Sequence, residues 1–147
     1  MLMGKSINTL EEFEAEAARF ASVLVPSPRG ATLVTLSGEL GAGKTAFTKA
    51  VARALGVEET VTSPTFVLEK VYPLSYKQVF KNLIHIDAYR LEKGSDLVSL
   101  DLDELLKGAG NLIFLEWPER VADAHLVPTK KISFVVTADG SRTISYE

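Results

Sequence analysis

The chain predicts an α/β fold: a mostly parallel central sheet flanked by helices, with a β-hairpin at the C-terminal end. Three observations carry this. Short apolar, β-branched runs at 31–36, 83–87 and 112–116 alternate with segments of helical periodicity, as in an open parallel sheet. Glycines crowd the junction between the first run and the helix after it, at Gly38, Gly41 and Gly43. Two alternating segments, 130–136 and 142–146, flank Asp139-Gly140, a hairpin-turn dipeptide.

The elements follow in order. Thr9 opens a Thr-Leu-Glu-Glu capping box, and Leu10, Phe13, Ala17, Phe20, Ala21 and Leu24 form the apolar stripe of a helix. Pro26, Pro28 and Gly30 end it. Residues 31–36 read as a buried strand, and a helix runs from Lys44 to Leu55 with Gly56 as its stop. A strand is expected over Phe66–Tyr72, a loop over Tyr72–Lys81, and a strand over Leu83–Asp87. A leucine- and acid-rich helix spans about Asp96–Leu106, and a fourth strand Leu112–Glu116. The hairpin is expected to extend one sheet edge.

With 147 residues the chain is of a size for one domain, residues 1–147. There is no cysteine, which excludes disulfides, thiolate zinc sites and thiol nucleophiles. No apolar run approaches a membrane span, and residues 1–8 lack the apolar core of a secretory signal, so a cytoplasmic protein is expected. Sixteen basic against 19 acidic side chains give a net charge of -3, a poor basis for holding nucleic acid by bulk charge.

The strongest motif is Gly38-Glu39-Leu40-Gly41-Ala42-Gly43-Lys44-Thr45, which satisfies G-x-x-x-x-G-K-[ST]. At average residue usage its four fixed positions coincide by chance in roughly one chain in a few hundred. The context, strand before and helix after, is what its mechanism requires. Glycines let backbone N–H groups turn around phosphate oxygens, and the helix N-terminus contributes roughly half a positive charge. Lys44 reaches the β- and γ-phosphates in such a loop, and the Thr45 hydroxyl ligates Mg²⁺. The fold is thus that of a P-loop NTPase.

A phosphate loop needs a further metal ligand and a group that places the attacking water. Two apolar strands end in an acid, Asp87 and Glu116, and strand carboxyl ends line the ligand crevice of a parallel sheet. The sequence leaves open which is the direct magnesium ligand and which acts through water. Thr62-Ser63-Pro64-Thr65-Phe66 offers three hydroxyls on a restrained turn, where a γ-phosphate-sensing loop can lie, though a plain polar turn accounts for it as well. His85, mid-strand among apolar residues, reads as structural. Trp117, the sole tryptophan, adjoins Glu116 and either borders the site or packs.

Together these blocks resemble the TsaE family, also called YjeE, the small bacterial ATPases of tRNA threonylcarbamoyladenosine synthesis. The matching residues are 38–45, then Ser63-Pro64-Thr65-Phe66, then His85-Ile86-Asp87-Ala88-Tyr89-Arg90-Leu91, then Glu116-Trp117-Pro118-Glu119. The resemblance implies a cytoplasmic ATPase using ATP and Mg²⁺ and working with TsaB and TsaD, its hydrolysis resetting that complex between turnovers, with tRNA engaged only indirectly. By motif it implies that Gly38, Gly41, Ala42, Gly43, Lys44, Thr45 and Ala46 hold phosphates and that Thr45 and Glu116 bind magnesium. Asp87 is the Walker-B-like acid, Ser63 and Thr65 belong to a switch-like loop, and Arg142, after the hairpin turn, approaches the nucleotide. Three positions depart from the family pattern: Glu39 where Asp is usual, Ala46 where a hydroxyl is common, and Phe13 where a threonine is common. No nucleotide contact is carried over to Phe13.

Two other functions fit a phosphate loop. A small-molecule kinase needs a second substrate pocket and usually an arginine-bearing lid, whereas six unclustered arginines and 147 residues leave little room for one. A nucleotide-sensing module without significant turnover is harder to separate, because an arginine supplied by a partner is worth roughly 10³–10⁵ in rate. A GTPase would carry Asn-Lys-x-Asp, which does not occur.

Overall fold

A computed structural model of the protein describes residues 3–39, 41–58 and 69–147. Among these residues seven strands and three α-helices follow one another as β1 (Met3–Ile7), α1 (Leu10–Val23), β2 (Thr32–Gly38), α2 (Lys44–Ala54), β3 (Glu69–Pro73), β4 (Asn82–Asp87), α3 (Leu102–Lys107), β5 (Asn111–Glu116), β6 (Lys130–Val136) and β7 (Arg142–Tyr146). Two 3-10 segments, Gly94–Leu100 and Pro118–Ala124, complete them.

All strands form one sheet in the order β1-β7-β6-β2-β5-β4-β3. The four inner strands β6, β2, β5 and β4 run parallel, and β1, β7 and β3 add antiparallel margins. The parallel character is therefore that of the centre. The hairpin does not close its side of the sheet, since β1 pairs outside it with β7. Gly4, Lys5 and Ser6 in β1 are exposed, so this edge carries no apolar alternation to read.

The sheet buries both faces, as a parallel core must. On one face Val34, Leu36, Leu112, Phe114, Ile132 and Phe134 meet the helices α1 and α2. On the other, Leu33, Ile84, Ile86, Ile113 and Leu115 meet Leu97, Leu102 and Val121 from the 3-10 segments and α3. Phe47 of α2 joins the first layer together, with ring centroids 5.9 Å from Phe13, 5.8 Å from Phe20 and 5.4 Å from Phe134. Each such pair is worth about 0.5–1.5 kcal/mol beyond its buried area.

Local chemistry sets the helix ends. Thr9 Oγ1 accepts from the Glu12 N–H at 3.1 Å, and the Glu12 carboxylate accepts from the Asn8 N–H at 2.9 Å. Gly56, with φ 84°, stops α2 in the left-handed conformation. Two expectations change. Leu10 is 70% exposed, because it opens the helix one turn before Phe13, the first α1 residue to reach the core. The helix expected over Asp96–Leu106 is broken at Asp101, whose φ of 54° separates the first 3-10 segment from α3. Aspartate is among the few residues that tolerate this conformation, and helical periodicity does not register it. Of the strand expected over Phe66–Tyr72, β3 supplies the later part, and 66–68 lie outside the described residues.

A buried acid ties the margin to the helical layer. Glu16 of α1 accepts from Lys5 Nζ of β1 at 3.1 Å, from Arg19 Nη2 at 2.8 Å, and from the Tyr146 hydroxyl of β7. Burial raises the Glu16 carboxyl, but the bonds from Arg19, Tyr146 and Lys5 outweigh it and bring it down to about 2.

Candidate functional site

The site forms where the carboxyl ends of β2, β4 and β5 converge under the N-terminus of α2. Leu36 is in register with Glu116 across β2 and β5, and Asp87 with Glu116 across β4 and β5. The two acids expected from sequence thus end adjacent strands side by side, below the loop that links β2 to α2.

The loop is held in a form that only glycine takes easily. Gly38, Gly41 and Gly43 have φ of 151°, 81° and 114°. A Cβ on Gly38 would stand 2.7 Å from the Phe134 carbonyl oxygen, so β6 passes against the loop's first residue. A Cβ on Gly43 would meet the Phe13 ring at 3.5 Å and the Arg142 side chain at 3.6 Å. At Gly41 it would meet no atom of the described residues within 4 Å. Arg142 Nη2 donates to the Gly41 carbonyl at 3.5 Å. Phe13, which departs from the family pattern, therefore packs behind the loop and touches Phe47 rather than offering a polar group.

Lys44 is only 4% exposed. Its ammonium donates to the carbonyls of Gly38 and of Glu39, the latter at 3.0 Å, and stands 4.0 Å from the Trp117 ring centroid. Burial pushes this ammonium below the usual lysine range, while the charges of Glu116, Glu119 and Asp87 pull the other way. Trp117, at φ 60°, donates its N–H to the Leu36 carbonyl at 3.2 Å, which ties the ends of β2 and β5 together beneath the lysine. Its ring also meets Tyr89 at 5.0 Å. Trp117 therefore borders the site.

Thr45 Oγ1 donates to both carboxylate oxygens of Glu116, each at 3.0 Å. Glu116 is 2% exposed, and its Oε2 also accepts from Nε2 of His85, which is fully buried. Asp87 accepts the Tyr89 N–H at 3.0 Å. Burial lifts the Asp87 carboxyl above its usual range and the neighbouring Glu116 charge adds to this, against the Tyr89 N–H.

A hydroxyl and a carboxylate in contact beneath a phosphate loop are the hard oxygen donors that Mg²⁺ takes. Among the described residues no group of three or more His, Asp or Glu side chains is placed to hold a metal ion by itself. This donor set suits an ion that draws most of its ligands from phosphate and water. The residues present fit that ion.

The structure brings Gly38, Gly41, Ala42, Gly43, Lys44, Thr45, Ala46, Asp87, Glu116 and Arg142 to one place. Ser63 and Thr65 lie outside the described residues. Sequence reading missed His85 as a site neighbour. Its signal is strand parity: two residues before Asp87 it shares that residue's face of β4, opposite Phe114 and diagonal to Glu116. No helix among the described residues is long and apolar enough to cross a membrane.

Known proteins resemble this chain in sequence and fold. A family model described as threonylcarbamoyl adenosine biosynthesis protein TsaE matches residues 7–144. A Treponema pallidum protein named tRNA threonylcarbamoyladenosine biosynthesis protein TsaE is 38% identical over 130 residues, covering 88% of this chain and 92% of the relative. Its Bacillus subtilis namesake is 36% identical over 142 residues, 92% of this chain and 79% of the relative. The crystal structure of Bacillus subtilis YdiB superposes with a TM-score of 0.75 at 30% identity, over 99% of this chain and 84% of that one. A chain with this loop, this sheet and these relatives belongs to the TsaE family of tRNA threonylcarbamoyladenosine biosynthesis proteins.

Proposed function

We propose that this chain is one ATPase domain, Mg²⁺-dependent and cytoplasmic, required for threonylcarbamoyladenosine modification of tRNA beside the anticodon. It acts with TsaB and TsaD and resets their complex between turnovers. The contact of Thr45 with Glu116 beneath Lys44 is the observation that carries the reading, because it pairs a phosphate grip with a metal grip.

Residues 38–46 would cradle the phosphates through backbone N–H groups and the start of α2. Lys44 would leave the Gly38 and Glu39 carbonyls for the β- and γ-phosphate oxygens, which accept more strongly because they carry charge. Thr45 and Glu116 would hold Mg²⁺, which bound there would supply neutralisation of phosphate charge. Asp87, a carboxylate raised by burial, would orient the attacking water and draw on its proton. Arg142, against Gly41, would follow the nucleotide at the loop's crown, and Ser63 and Thr65 would respond to the γ-phosphate. With a net charge of -3, the chain would meet tRNA only through its partners.

The test is ATP hydrolysis by the purified chain with Mg²⁺, alone and with the TsaB–TsaD pair. Weak solitary turnover, strong stimulation by the pair and loss of both in Lys44→Ala are expected. High solitary turnover without response to the pair would favour a kinase. Tight ATP binding with no turnover in either condition would favour a nucleotide sensor.

A further inference from the structure

Buried His85 is an expensive choice for its position. Among its β4 neighbours, Leu83, Ile84 and Ile86 are as deeply buried and wholly apolar. Its Nε2 must carry the proton, since the atom it faces is a carboxylate oxygen of Glu116. The other ring nitrogen, Nδ1, is buried with no hydrogen-bond partner among the described residues. A buried polar nitrogen left unbonded is unfavourable, and a leucine or phenylalanine of similar volume would avoid it. What the imidazole supplies in return is one bond, to Glu116 Oε2.

We propose that His85 is a positioning residue. Its Nε2–H anchors Glu116 Oε2, fixing the carboxylate plane so that Oε1, together with Thr45 Oγ1, is presented to the cation. The inference rests on the reading of Thr45 and Glu116 as a magnesium site. Without the anchor, Glu116 keeps, among the described residues, the Thr45 hydroxyl alone, which reaches both of its oxygens at 3.0 Å and so does not select between them. Groups that orient a metal ligand from behind typically govern affinity by roughly 10–100-fold.

Two substitutions separate the bond from the bulk. Glutamine places an amide N–H near the Nε2 position, whereas leucine fills the space without a donor. The probe is Mn²⁺ titrated into the ADP complex and followed by its electron paramagnetic resonance signal, with ADP affinity measured separately in EDTA. In His85→Leu, Mn²⁺ affinity should fall about tenfold or more, with ADP affinity in EDTA unchanged, and His85→Gln should recover most of the loss. Unchanged Mn²⁺ affinity in His85→Leu would overturn the proposal, as would equal losses in the two variants. A wild-type chain that binds neither ADP nor Mn²⁺ would overturn the magnesium-nucleotide reading along with it. Should His85→Leu fail to fold, His85→Asn takes its place, since its amide is too short to reach Glu116 and it keeps a polar side chain.

Discussion

Thr45 and Glu116 stand 71 positions apart in the chain, yet the hydroxyl that opens α2 donates to both oxygens of the carboxylate that ends β5. Parallel pairing of β2 with β5 sets this meeting, because it brings Glu116 level with Leu36, two residues before the phosphate loop begins at Gly38. Glu116→Ala should therefore leave the phosphate grip and remove the metal grip. Mg²⁺-dependent ATP hydrolysis is expected to fall roughly 10²-fold or more, while ADP affinity in EDTA stays within a few-fold. Equal loss of both would place Glu116 in the phosphate cradle instead.

Lys44 sits over the only tryptophan in the chain, 4.0 Å from its ring centroid. A lysine that turns to phosphate changes the field on that ring. Adding ADP should alter Trp117 emission, and Lys44→Ala should abolish the change together with binding. A normal ADP response in Lys44→Ala, seen by fluorescence and calorimetry, would remove Lys44 from the site.

Two loop glycines should tolerate a methyl group unequally. At Gly41 alanine meets none of the described residues within 4 Å and suffers the left-handed conformation, about 1–2 kcal/mol. At Gly38 it suffers the backbone strain and also a 2.7 Å approach to the Phe134 carbonyl, so either the loop or β6 must move. Urea denaturation should show Gly38→Ala to be the less stable of the two. ADP affinity should drop further in it as well.

Glu16 predicts an acid-sensitive margin. Its folded value of about 2 lies below the usual 4.5, so the bonds from Arg19, Tyr146 and Lys5 stabilise the fold fully above about pH 4.5. That contribution fades as pH falls from there toward 2. Its ceiling at neutral pH is about 3 kcal/mol, reduced because Lys5 and Arg19 are partly exposed. Glu16→Gln should lower the thermal midpoint at pH 7, and the gap to wild type should close as the pH is lowered. A gap that persists at pH 2 would assign the effect to packing.

The sequence made the central strands, the phosphate loop and both acids legible, because each follows from local rules of apolar parity, glycine spacing or strand termini. The hairpin was equally plain from Asp139-Gly140. What escaped depends on neighbours distant in the chain. β1 has exposed Gly4, Lys5 and Ser6 and exists because β7 offers it an edge. The break at Asp101 is a single backbone angle. His85 reads as one more buried side chain until β5 lies beside β4 and brings Glu116 within reach.

The sheet order makes the two halves of the site unequal in durability. In the proposed function, phosphate would be gripped by one stretch, residues 38–46, which follows the central strand β2. The proposed cation grip would draw on β5, and its anchor on β4, which among the described residues β3 alone shields from the end of the sheet. Fraying that begins at that end reaches His85 and then Glu116 before it disturbs β2. Under gentle denaturation the protein should thus lose its discrimination between Mg²⁺-ATP and bare ATP while still holding the nucleotide by its phosphates.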